Sequence, residues 1–138
     1  MKKNLNILWL VLLIPYFIKA ETVFNPVGPT ILITGSNRGL GLEFARQYAA
    51  AGWNVIATCR KPKKAKELQL LTKEYNQIAV EKMDVTNQHE VDSLAALYHG
   101  QPIDVLLNNA GIYGILEKQT LGTFDFEELK RVFDVNTI

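Results

Sequence analysis

The chain has 138 residues, enough for one domain with a core of its own. A formal charge of +1 gives no electrostatic footing for nucleic acid. A single cysteine, Cys59, excludes an intrachain disulfide and a cysteine-held metal cluster. The two histidines, His89 and His99, stand ten apart in a helical pattern and read as solvated surface residues, so no metal is expected.

Lys2-Lys3 precede an apolar block, Ile7 to Ile14, prolonged through Pro15-Tyr16-Phe17-Ile18 and closed by Lys19-Ala20-Glu21. A basic start, an apolar middle and a small residue at the cut site make residues 1–20 a signal peptide or leader, although Ile18 stands where a second small residue is usual. The block is shorter than the ~20 residues that span a bilayer. Membrane contact is therefore expected only through an uncleaved leader, and the address is either cytoplasmic or exported. Residues 21–29, with Pro26, Gly28 and Pro29, read as a linker.

From residue 30 the pattern alternates. A strand over about 30–34 is followed by a helix over about 39–51, closed by Gly52. Asn54 to Cys59 form a buried-strand run. Pro62 opens a second helix, carried by Ala65, Leu68, Leu70 and Leu71 to about Tyr75. A third strand runs from Ile78 to Met83. Asn87 with Glu90 forms a capping-box pair for a third helix that Gly100 and Pro102 end. Ile103 to Leu107 is the fourth strand, and a loop to Phe124 precedes a last helix. There Asp125 and Glu128 occupy capping-box positions, and Phe126, Leu129, Val132 and Phe133 share a side.

Strands alternating with helices of this length imply βαβ units and a doubly wound α/β domain around a parallel sheet. Right-handed crossovers put helices on both faces. The expected strand order is 3-2-1-4, the first part of a Rossmann-like fold, with a ligand crevice beyond the carboxyl ends of the strands.

The first strand runs into Thr34-Gly35-Ser36-Asn37-Arg38-Gly39-Leu40-Gly41, a glycine turn that feeds a helix. Missing Cβ atoms let a pyrophosphate approach the backbone, and the helix start offers unpaired N–H groups and the positive end of its dipole. The spacing T-G-x-x-x-G-x-G resembles that of the short-chain dehydrogenase/reductase family, in its non-extended branch. Asn108-Asn109-Ala110-Gly111 resembles the family's N-N-A-G, and Phe133-Asp134-Val135-Asn136 its fourth-helix segment.

The resemblance covers about Thr30 to Ile138 and implies an NAD(P)-binding Rossmann domain. It assigns the turn, Gly35 to Gly41, to the pyrophosphate, and Asp84 with Val85 to the adenine. Asn109, Ala110 and Gly111 fall to the strand tie and the nicotinamide ribose. Asn136 falls to the catalytic set, organising a water-linked proton path. Cys59 stands where NAD-preferring relatives carry an acid, whereas Arg38 and Arg60 suit a 2′-phosphate, so NADP is the expected cofactor. Lys61, Lys63, Lys64 and Lys66 add a basic cluster read as a solvated charge run.

The implied activity is an oxidoreductase of the carbonyl reductase or alcohol dehydrogenase type, acting on a small carbonyl or alcohol and often homo-oligomeric. The family's substrate-orienting Ser and Tyr-x-x-x-Lys do not occur in these 138 residues, so the chain is expected to be the cofactor half and inactive alone. Tyr113 and Lys118, five apart, would lie about 140° apart on a helix and cannot imitate that pair. The fourth strand is then expected to have an open edge, and the last helix an uncovered apolar stripe. Two other readings remain: a non-catalytic dinucleotide-binding sensor or partner module, and an exported signalling peptide.

Overall fold

The computed structural model describes residues 22–137, so the leader read over 1–20 lies outside the described residues. Four strands, β1 (Thr30–Ile33), β2 (Asn54–Cys59), β3 (Ile78–Lys82) and β4 (Val105–Leu107), form one parallel sheet in the order β3-β2-β1-β4. The helices are α1 (Gly39–Ala50), α2 (Lys66–Glu74), α3 (Gln88–Leu97) and α4 (Phe126–Asn136). The α/β fold class and strand order are those expected.

The sheet is covered on two faces because successive side chains of a strand point opposite ways. Ile31, Ile33, Val55, Ala57 and Cys59 point to one face, where they meet Ala45 and Ala49 of α1 and Leu68 of α2. Leu32 and Ile56 point to the other, against Met83, Leu94 and Val91. All six residues of β2 are buried, which explains its unbroken apolar run. Among the described residues β4 pairs only with β1, and Leu106 on it is 61% exposed.

Four local features differ from expectation. Residues 62–75 are not one helix: Pro62–Lys64 form a 3₁₀ turn, and Ala65 (ψ 68°) breaks the path before α2 begins. The break buries Ala65 beside Leu68 in the core. The two capping boxes are half formed. Asn87 and Asp125 do cap α3 and α4 through their side-chain oxygens. Glu90, however, accepts from the Asp84 N–H (2.8 Å) and pairs with Lys82, while Glu128 accepts from the Ile115 N–H (2.7 Å) and pairs with Arg131. Long-range partners outbid the local N–H in both.

A short 3₁₀ turn, Leu116–Lys118, also interrupts the loop before α4. Finally, the stretch read as a linker is docked. Phe24 packs on Tyr98 at 6.2 Å between ring centroids. Asn25 exchanges hydrogen bonds with the buried Asn54 side chain, 2.8 Å each way.

Candidate functional site

The carboxyl ends of β1 and β4 are latched together by one threonine and one asparagine. Thr34 Oγ1 accepts from the N–H groups of Asn109 and Ala110, both at 2.9 Å. Asn109 Nδ2 donates back to the carbonyls of Thr34 (2.9 Å) and Gly35 (3.2 Å). This reciprocal tie fixes the glycine turn against the start of the Ala110-Gly111 segment. Thr34 was not among the expected site residues; it is the first letter of the glycine motif, but its role depends on where Asn109 lies.

The glycines of the turn serve different ends. Gly35 has φ +68°, and a Cβ there would lie 2.8 Å from Ala110 Cα; a Cβ on Gly41 would lie 2.5 Å from the Gly35 carbonyl oxygen. Gly39 has φ +57°, yet a Cβ on it would meet no atom within 4 Å. Gly35 and Gly41 are thus demanded by packing, and Gly39 by backbone conformation beside open space.

Helix α1 starts with no side-chain cap and no acid in its first turn, unlike α3 and α4. Its first N–H groups and positive dipole end are therefore unscreened by the chain itself. They border a cavity of about 940 Å³ at the carboxyl end of the sheet.

That cavity gathers nearly all the residues singled out from the sequence. From the turn come Gly35, Asn37, Arg38, Gly39, Leu40 and Gly41; from the strand ends come Arg60, Asp84, Val85, Asn109, Ala110 and Gly111; from α4 comes Asn136. Ser36 is the exception. It is fully buried, its hydroxyl donates to the Ile33 carbonyl (2.8 Å) and its N–H to the Thr58 carbonyl (2.9 Å), so it braces the turn from within. Cys59, Met83, Ile112, Tyr113 and Val135 also line the cavity. Most of these directly flank an expected residue, a signal that adjacency alone could have supplied.

Asn136 lines the cavity from α4, and its side chain bonds to the loop after Gly111. Its Oδ1 accepts from the Ile112 N–H and its Nδ2 donates to the Ile112 carbonyl, both at 2.9 Å. The side-chain amide is engaged in clamping the loop after Gly111 onto α4, and Glu128 holds the same loop at Ile115. Tyr113, between these clamps, is 93% exposed, while Lys118 is paired with Asp125 at 2.7 Å.

The charges of the site are set by its surroundings. Burial pushes the Asp84 carboxyl up, but hydrogen bonds from the Thr86 hydroxyl and N–H, with the nearby Arg60 and Lys82 charges, outweigh it and leave Asp84 below its ordinary value. Burial pushes the Cys59 thiol up, so it stays neutral at pH 7 and offers no anion at the end of β2. Among the described residues neither Arg38 nor Arg60 takes part in an ion pair.

Residues 29–138 match the family described as short chain dehydrogenase. The chain belongs to the short-chain dehydrogenase family. It is similar to 3beta-hydroxysteroid dehydrogenase 1 of Eggerthella lenta, 34% identical over 79% of this chain and 42% of that enzyme. It is also similar to 2-dehydro-3-deoxy-D-gluconate 5-dehydrogenase of Bacillus subtilis, 31% identical over 82% of this chain and 44% of the other. Among solved structures it resembles a short-chain dehydrogenase/reductase from Burkholderia multivorans with bound NADP. That match has a TM-score of 0.72 and 31% identity over 79% of this chain and 48% of that one. A carbonyl reductase from Pseudomonas aeruginosa in complex with NADP gives a TM-score of 0.70 at 27% identity, over 76% and 48%. The chain spans less than half the length of each of these relatives.

Proposed function

We propose that this short-chain dehydrogenase chain is the cofactor-binding part of an NADP-dependent oxidoreductase that interconverts a carbonyl and an alcohol. The observation that carries the cofactor preference is the pair Arg38 and Arg60 on the cavity wall, with Cys59 where an acid would repel phosphate. Two guanidiniums facing one crevice suit the 2′-phosphate that distinguishes NADP from NAD, because Arg binds phosphate bidentately. The Burkholderia and Pseudomonas structures that this chain resembles both contain NADP, which supports the reading.

The site's own atoms fit a dinucleotide. The uncapped start of α1 and the open space at Gly39 suit a pyrophosphate. Asp84 keeps an ionised carboxyl to accept from an adenine amino group. Ala110 and Gly111, held by the Thr34–Asn109 latch, leave room for the second ribose. When bound, the nicotinamide would supply or take up the hydride. Asn136 would act as a positioning residue, keeping Ile112 and the loop wall in place beside it.

Titration calorimetry with NADP and NAD tests the reading. NADP should bind more tightly, and Arg60→Ala should remove about 1.5–3 kcal/mol from NADP binding, as for a charged hydrogen bond, while leaving NAD nearly unchanged. Equal affinities in the unaltered chain would refute the preference.

A further inference from the structure

The sequence contains a charge cluster of which the proposed cofactor contacts use only Arg60. Arg60, Lys61, Lys63, Lys64 and Lys66 place five cations within seven residues, and all five are exposed. Of the chain's fifteen cations these leave ten, against fourteen acids, so the remainder of the molecule is net negative. The segment leaves the carboxyl end of β2, the same end of the sheet as the cavity, through the 3₁₀ turn Pro62–Lys64. Among the described residues none of the four lysines has an ion-pair partner.

Local stability does not account for them. Lys66 is the first residue of α2, where a cation opposes the helix dipole. Nor do they touch the ligand space: of the five, only Arg60 lines the cavity or the smaller groove beside it. Charges that flank a site without entering it act on the approach of a ligand more than on its residence, because their field reaches about a Debye length into solvent.

We propose that Lys61, Lys63, Lys64 and Lys66 form an electrostatic guide that speeds capture of the polyanionic cofactor without gripping it. The inference rests on the NADP reading above. A pyrophosphate with a 2′-phosphate is the ligand on which such a field acts most strongly. A ligand with one phosphate would be guided far less.

Stopped-flow fluorescence of NADPH mixing with the 138-residue chain tests this. The variants are K61Q/K63Q/K64Q/K66Q and, separately, Arg60→Ala, with circular dichroism confirming that each folds. At about 10 mM ionic strength the lysine variant should associate roughly 3–10-fold more slowly, with dissociation unchanged, and the gap should close at about 0.5 M salt. Reduced nicotinamide mononucleotide, carrying one phosphate, should show less than about a twofold difference. Arg60→Ala should instead speed dissociation. If the lysine variant associates at the unaltered rate while Arg60→Ala behaves as stated, the guide is refuted and the NADP reading stands. Faster dissociation from the lysine variant would also refute it, making the lysines direct contacts. If the unaltered chain shows no association with NADPH, both fall.

Discussion

Gly39 and Gly41 lie two residues apart at the start of α1, and alanine at each should fail in a different way. At Gly41 the new methyl would sit 2.4 Å from Asn109 Nδ2 and 2.5 Å from the Gly35 carbonyl oxygen, far inside contact distance. Gly35 has little room of its own, since a Cβ on it would lie 2.8 Å from Ala110 Cα. The Asn109 amide can move only by giving up its bonds to Thr34 and Gly35. Overpacking of about 1–3 kcal/mol plus roughly 1 kcal/mol for lost hydrogen bonding gives a destabilisation of about 2–4 kcal/mol.

At Gly39 the methyl meets nothing, so the cost is the left-handed backbone alone, about 1–2 kcal/mol. That methyl does, however, stand beside the α1 N–H groups on the cavity wall. It should hold a phosphate off and forfeit about 1.5–3 kcal/mol of charge-assisted bonding, a loss of roughly 10- to 150-fold in affinity. Urea denaturation and an NADPH fluorescence titration on both variants measure the two effects. Gly41→Ala should lower the urea midpoint by about 1–3 M, whereas Gly39→Ala should fold and bind poorly. A Gly39→Ala chain with unaltered affinity, or a Gly41→Ala chain as stable as the original, would refute the division of labour.

Asp84 gives a pH test. Its folded pKa is lowered, so the ionised carboxylate should support adenine binding throughout the range above the ordinary carboxylate value. The support should be lost only as pH falls through the lowered value, and Asp84→Asn should abolish that pH dependence in a cofactor titration. Asn136→Ala should release both bonds to Ile112, speeding hydrogen exchange of the Ile112 amide by about tenfold for roughly 1.4 kcal/mol of lost local protection. The 138-residue chain should show no carbonyl reduction with NADPH. Asn136 is engaged and has no ionisable proton, while Tyr113 stands in solvent and Lys118 is held by Asp125. Turnover across an aldehyde panel that Tyr113→Phe abolishes would overturn that expectation.

What the sequence revealed, and what it hid, follows the range of the interactions involved. β2 reads as a buried strand because all six of its residues face a core, and Asn87 and Asp125 read as caps because their partners are two or three residues away. Glu90 and Glu128 misled for the opposite reason: their carboxylates serve Asp84 and Ile115, six and thirteen residues off. Ser36 lies within the Gly35 to Gly41 turn, whose other members line the cavity, but the turn's path, not its composition, points it into the core. The clamp of Asn136 on Ile112 spans twenty-four residues, and only the fold brings the two together.

The cavity beyond β1 and β4 should be where the dinucleotide binds. Titrating NADP into the ¹⁵N-labelled chain, with amide shifts followed residue by residue, tests it most directly. The largest shifts should fall at Gly35, Gly39, Gly41, Asp84 and Gly111, with little change along the exposed Phe126, Leu129 and Phe133 stripe of α4. Shifts concentrated on that stripe, or none at the glycine turn under saturating NADP, would contradict it.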